Sequence, residues 1–303
     1  MGKAVLPKNL TASMPAGKAA AAFLRAKRKE VAAYAPAALT GPPEGVHDMR
    51  VAVKRLREAI RLFRRLLPRR ARARAMGMVE ELNDTLGRVR DLDVLLGYLT
   101  ALTEQVPTAA ERLAPLAEEW REQRDLAQQD LVALWKRLKN GARLEAQIED
   151  LADATAKRDD ELNRLPLESF AYLSVRARAN QVAQRLAALR QKQDPATLHL
   201  LRLAVKRLKY TMEPFLQALP ALKKPYATVT QAQEAAGLTH DSDVLEAAIV
   251  GFFHQGDLQR TRAAQQALKA LREHRQELYT VAMQRMDELV RAEWRQGLMD
   301  ALD

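Results

Sequence analysis

One eleven-residue block occurs twice in this chain. His47-Asp48-Met49-Arg50-Val51-Ala52-Val53-Lys54-Arg55-Leu56-Arg57 recurs as His199-Leu200-Leu201-Arg202-Leu203-Ala204-Val205-Lys206-Arg207-Leu208-Lys209, an offset of 152 residues from His47 to His199. Phe63 then matches Phe215, and Leu67-Pro68 matches Leu219-Pro220. A second block follows in each half. Leu86-Gly87-Arg88-Val89-Arg90-Asp91-Leu92-Asp93 answers Ala236-Gly237-Leu238-Thr239-His240-Asp241-Ser242-Asp243, an offset of 150 residues from Gly87 to Gly237. Two matched blocks in one order, with nearly equal connections, indicate duplication of a folding unit. The expected organisation is a disordered or irregular tail over 1–16, a first bundle over 17–160 and a second over 161–303.

The blocks sit in helical sequence. Met49, Val53, Leu56, Ile60, Phe63 and Leu67 follow the i, i+3, i+4, i+7 spacing, as do Leu201, Val205, Leu208, Met212, Phe215 and Leu219. No period-2 run bounded by turn residues stands out, so strands are not expected. Breaks fall at Pro36, Gly41-Pro42-Pro43, Pro68, Pro107, Gly141, Pro166, Pro195, Pro220 and Gly256. The predicted class is all-α, about ten helices in two pseudo-twofold-related bundles.

Composition narrows the chemistry. The absence of cysteine removes disulfides, thiolate metal sites and cysteine nucleophiles together. No stretch approaches the roughly 18 apolar residues of a membrane helix. No compact apolar block marks a signal peptide, so a cytoplasmic protein is expected. The formal net charge of +11 calls for an anionic partner.

That charge is concentrated. Residues 44–74 carry 11 Lys/Arg against Glu44, Asp48 and Glu58. At about 100° per residue, His47, Arg50, Lys54, Arg57 and Arg61 share an arc of about 80°, beside a separate apolar arc. His199, Arg202, Lys206 and Lys209 reproduce the cationic arc, and Glu213 replaces its last basic position. Like charges one turn apart repel. A solvated face has no need to keep the same residue types at the same offsets in two halves. Cations spaced by about 5.4 Å suit a linear polyanion, with arginine as a donor fork and lysine as a point charge. Two such helices face to face would line a basic groove or pore.

The second block holds a glycine within a helix, Gly87, for which close approach to the basic helix is the simplest reason. Asp91 and Asp241 then either clamp cations of the stripe or make local helix pairs. Arg88 and Arg90 extend the basic surface. Arg25, Lys27, Arg28 and Lys29 on the first helix, and Arg176, Arg178 and Arg185 on its counterpart, either line the same groove or face solvent. Two rival functions would draw on the same residues. A nucleic-acid binder would want aromatics among the cations, and Phe63 sits on the apolar arc. A metal-dependent phosphohydrolase or phosphohistidine protein would have to draw on His47, His199, His240, His254 and His274, which form no HExxH pair.

The doubled His47-x-x-Arg50-x-x-x-Lys54-Arg55-x-Arg57 and His199-x-x-Arg202-x-x-x-Lys206-Arg207-x-Lys209, supported by Gly87-x-x-Arg90-Asp91 and Gly237-x-x-x-Asp241, resembles the CHAD family, the conserved histidine α-helical domain. The resemblance extends from about Ala16 to the C-terminal helices. It implies inorganic polyphosphate bound along a basic central pore, association with polyphosphate granules, and a triphosphate tunnel enzyme or other granule protein as partner. The expected binding residues are His47, Arg50, Lys54, Arg57, Arg61, Arg90, His199, Arg202, Lys206 and Lys209. Further contacts are expected from Arg25, Arg28, Arg55, Arg88 and Arg207, with Asp91 and Asp241 as clamps. No catalytic residue, metal or cofactor is expected, and nucleic acid enters only as a weak competitor.

Overall fold

The computed structural model describes residues 7, 9–192, 194–254 and 262–302. Among these the chain forms eleven α-helices and no strand, in line with the apolar periodicity. They are α1 (Ala16–Thr40), α2 (Pro43–Leu62), α3 (Arg69–Gln105), α4 (Ala110–Arg137), α5 (Ala142–Ala156), α6 (Glu161–Arg164), α7 (Leu167–Lys192), α8 (Pro195–Met212), α9 (Lys223–His254), α10 (Arg262–Glu288) and α11 (Ala292–Asp300). With α6 as the joint, α1 to α5 run in the same order as α7 to α11. The first repeated block lies in α2 and α8, the second in α3 and α9. Short helices pack pairwise, α1 on α2 and α7 on α8, and long antiparallel hairpins follow, α3 with α4 and α9 with α10.

Several sequence breaks are real ends. Gly41 closes α1 in the left-handed region at φ 98°, and Pro43 opens α2 at a position where a missing N–H costs nothing. Pro36 is a correction, because α1 continues through it to Thr40. Ala35 and Ala38 on either side are buried, and α1 lies along α2, so packing offsets the hydrogen bond the proline removes. Gly256 lies outside the described residues.

The part of the expected tail that is described is pinned. Leu167 N donates to Met14 O at 2.9 Å, Glu168 N to Ala12 O at 3.0 Å, and Ala16 N to Leu165 O at 2.8 Å. Residues 1–6 and 8 lie outside the described residues.

One apolar core extends from Leu10 to Leu302 and draws on both halves. At its centre the repeated phenylalanines meet. Phe63 and Phe215 pack edge to face with centroids 6.5 Å apart, and Phe170 stacks on Phe63 at 5.6 Å. This contact sets the ends of α2 and α8 side by side. A second, smaller core joins the hairpin tips through Leu99, Leu102, Leu113, Leu116 and Trp120 on one side and Leu245, Ile249, Leu268 and Leu271 on the other. Along α3 and α9, the charged second block falls between residues of these two cores.

Candidate functional site

The basic stripes of α2 and α8 converge between the two cores. Lys54 and Lys206 are the central pair. Burial pushes the Lys54 ammonium down to about 7, reinforced by Arg50 and Lys206. Burial, then Arg202 and Arg57, pushes Lys206 down to about 8. Each lysine therefore feels cations of the opposite half. Arg50 and Arg202 are held below the ordinary arginine value, again first by burial. Arg90, from α3, stands beside Arg50 and His47 and depresses both.

Two aspartates answer these cations unequally. Arg50 Nη2 donates to Asp91 Oδ1 at 3.0 Å. Asp241 is raised by burial although Arg202, Arg90 and Lys54 act to lower it. It lies near Arg202 without a short hydrogen bond to it among the described contacts. Gly87 has the role its position suggested, since a Cβ there would stand 2.6 Å from Arg50 Nη1. Its counterpart Gly237 has only Gln233 nearby, at 3.8 Å.

The histidines mark the edge of this region. His47 is half-buried and lowered by burial and then by Arg90. His199 is exposed, with its ring 5.8 Å from that of His240. His240 replaces Arg90 in the second copy and is also lowered, by burial and by Arg202. The two rings share a small cavity of about 40 Å³ with Arg202, Asp243 and Tyr279. Among the described residues no group of three or more His, Asp or Glu could hold a metal ion.

Other residues expected as contacts pair with neighbouring helices. Lys209 is 9% exposed and donates to Gln233 Oε1 at 2.8 Å, so it packs between α8 and α9 instead of extending the stripe. Arg55 turns away into an ion network in the core. Its Nη1 donates to Glu30 at 2.7 Å and its Nε lies 2.6 Å from Glu213, while Glu30 also pairs with the fully buried Lys27 at 2.7 Å. This explains the break in the second stripe, because Glu213 is the partner that Arg55 requires when desolvated. Arg25 is bound to Glu149 and Asp153, and Arg28 to Glu145, all on α5. Arg88 pairs with Asp130 of α4 at 3.0 Å on the surface. Arg57 keeps its place near Lys206 and also bonds Glu58 at 3.1 Å. Arg61 pairs with Glu58 and Glu80, both at 3.0 Å, and with Arg207 it lines a separate cleft beside α7.

Sequence reasoning missed a matched brace. Arg124 of α4 bonds Asp93 of α3 at 3.0 Å, and Arg275 of α10 bonds Asp243 of α9 at 2.7 Å. The two arginines stand 151 residues apart, so extending the repeat beyond the second block would have found them. Each brace ties one hairpin together beside the aspartate that faces the cations.

A family model for the CHAD domain matches residues 22–250. The chain belongs to the CHAD domain family. Two solved structures share its fold. The CHAD domain from the plant Ricinus communis is 23% identical with a TM-score of 0.66, over 100% of this chain and 96% of that one. PptA from Streptomyces chartreusis is 18% identical with a TM-score of 0.65, over 91% of this chain and 99% of that one. No curated protein matches. In this CHAD domain the chain's doubled basic block is divided by the fold. Arg50, Lys54, Arg57, Arg202 and Lys206 gather in one region, and Arg55 and Lys209 serve the core. No described helix is long and apolar enough to cross a membrane.

Proposed function

We propose that this CHAD domain binds inorganic polyphosphate by non-covalent contact and catalyses no reaction on it. The supporting observation is the convergence of Arg50, Lys54, Arg57 and Arg90 from one half with Arg202 and Lys206 from the other, six cations against Asp91, Asp241 and Glu58 among the described residues. A partly desolvated cluster with surplus positive charge gains most from a ligand that brings several negative charges on one thin chain. The family's association with polyphosphate agrees with this reading. The chain would pass between the two cores, through a basic pore bounded by α2, α3, α8 and α9. Binding there would place the protein on polyphosphate granules, alongside a tunnel enzyme or other granule proteins.

Phe63 and Phe215 are buried in the core, so the half-buried Tyr210 of α8 is left as the aromatic ring beside the described cations and the stripes offer bases little to stack on. Nucleic acid should compete only weakly. The test is the double variant Arg50→Glu with Arg202→Glu, assayed against long-chain polyphosphate at fixed salt. Binding should disappear while the helical circular dichroism persists, and single-stranded or duplex DNA should displace polyphosphate poorly from the wild type. A folded double variant with wild-type affinity would overturn the site. Phosphate release from polyphosphate, with or without divalent ions, would overturn the non-catalytic reading.

A further inference from the structure

A second concentration of unpaired cations lies beyond the central region. Glu58, Arg61, Arg64, Arg178, Arg207 and Thr211 line a cleft of about 420 Å³ where the ends of α2 and α8 meet α7. Arg61 is already neutralised by Glu58 and Glu80. Glu58 is spent on Arg57 and Arg61. Arg64, Arg178 and Arg207 have no carboxylate within ion-pair distance among the described residues. Arg178 donates only to Gln181, at 2.7 Å on its own helix. Three guanidinium groups from three elements therefore share one cleft with a single lining carboxylate, Glu58, which is already bonded to Arg57 and Arg61. Arg178 is held below its ordinary value by burial and then by Arg207 and Arg64, which places the three close enough to repel.

We propose that this cleft is a second anion site, which takes the continuation of a phosphate chain leaving the central site past Glu58. The inference rests on the polyphosphate reading above. Guanidinium forks suit the non-bridging oxygens of successive phosphates. Glu58, between the two cationic groups, breaks the positive lining, so the cleft is a distinct subsite and not a widening of the first. Lys54 and Arg64 are ten residues apart along α2 and its terminal turn, about 15 Å at helical rise. A short oligophosphate held at Lys54 and Lys206 would not reach Arg64, and a long chain would. The gain would come from joining the two sites on one ligand, where the second contact is intramolecular.

The test compares tripolyphosphate with a long-chain polyphosphate on the wild type and on the triple variant Arg64→Ala, Arg178→Ala, Arg207→Ala. Long-chain affinity should fall at least tenfold in the variant, and the slope of log affinity against log salt should become shallower by about 2, taking about 0.7 per lost phosphate contact. Tripolyphosphate affinity should stay within about twofold. Arg207→Ala alone, at an exposed position, provides the same comparison with a smaller fall should the triple variant fail to fold. Long-chain affinity unchanged in a folded variant would overturn the cleft alone, and so would an equal loss for both lengths. Absence of wild-type binding to either length at low salt would overturn the polyphosphate reading itself.

Discussion

Binding of polyphosphate should draw protons onto the protein. In the empty domain Lys54 titrates near 7 and Lys206 near 8, because burial and neighbouring cations disfavour their charged forms. A phosphate chain laid between them reverses the second cause and returns both towards the ordinary lysine range. The bound form then holds more protons than the empty form, so affinity is greatest at low pH and is lost as pH rises through 7 to 8. At pH 8 the empty protein carries about 0.1 of a charge on Lys54 and about half on Lys206, so occupancy takes up about 1.4 protons. At pH 6 both are already charged and uptake falls to about 0.1. Affinity should therefore drop about 20-fold between pH 6 and pH 8 from these two groups. His47 and His240, also lowered by burial, titrate in the same direction at lower pH. Calorimetric titration in two buffers of different ionisation enthalpy counts the protons, and a long chain keeps the ligand's few terminal groups from dominating. Lys54→Arg, which holds its charge at every relevant pH, should still bind and should take up about 0.5 to 1 proton at pH 8, all of it on Lys206. Wild-type uptake below about 0.3 at pH 8, or uptake unchanged in Lys54→Arg, would refute the reasoning. Folding stability of the empty domain runs the other way, rising with pH from about 7 towards 10.5 as the unfolded chain loses its excess of bound protons.

Three further outcomes follow from the geometry. Gly87→Ala should leave stability unchanged or slightly higher, because the added Cβ meets only the mobile end of Arg50, yet polyphosphate affinity should fall several-fold as Arg50 leaves Asp91. Gly237→Ala, with open space, should affect neither by much, and a thermal melt with a binding isotherm separates the two. Arg55→Met should destabilise the fold by about 3 kcal/mol or more in chemical denaturation, since it removes the cation that buried Glu30 and Glu213 share and leaves Lys27 to face both carboxylates, and binding of the folded fraction should be retained. Raising salt from 50 to 200 mM should weaken polyphosphate binding by about 300-fold through counterion release from about six contacts, and a loss below tenfold would rule out a mainly electrostatic site.

The sequence by itself determined the helical class, the repeat and the basic stripes. Apolar periodicity is a local property, and a duplicated block keeps its register whatever surrounds it. The glycine at position 87 was legible beside the repeated stripe, and Arg50 does approach it closely, whereas Gly77 and Gly97 of the same helix have nothing within 4 Å. Only the tertiary structure decided which cations of each stripe are free. Arg55 and Arg207 occupy the same place in the repeat, yet one is drawn into the core by Glu30 and Glu213 and the other lines an open cleft. Lys209, the counterpart of Arg57, is likewise taken by Gln233. A helical wheel gives the direction of a side chain from its own axis. Its charge is available to a ligand only if no neighbouring helix brings a carboxylate or amide to meet it, and those neighbours come from segments 24 to 158 residues away in the chain.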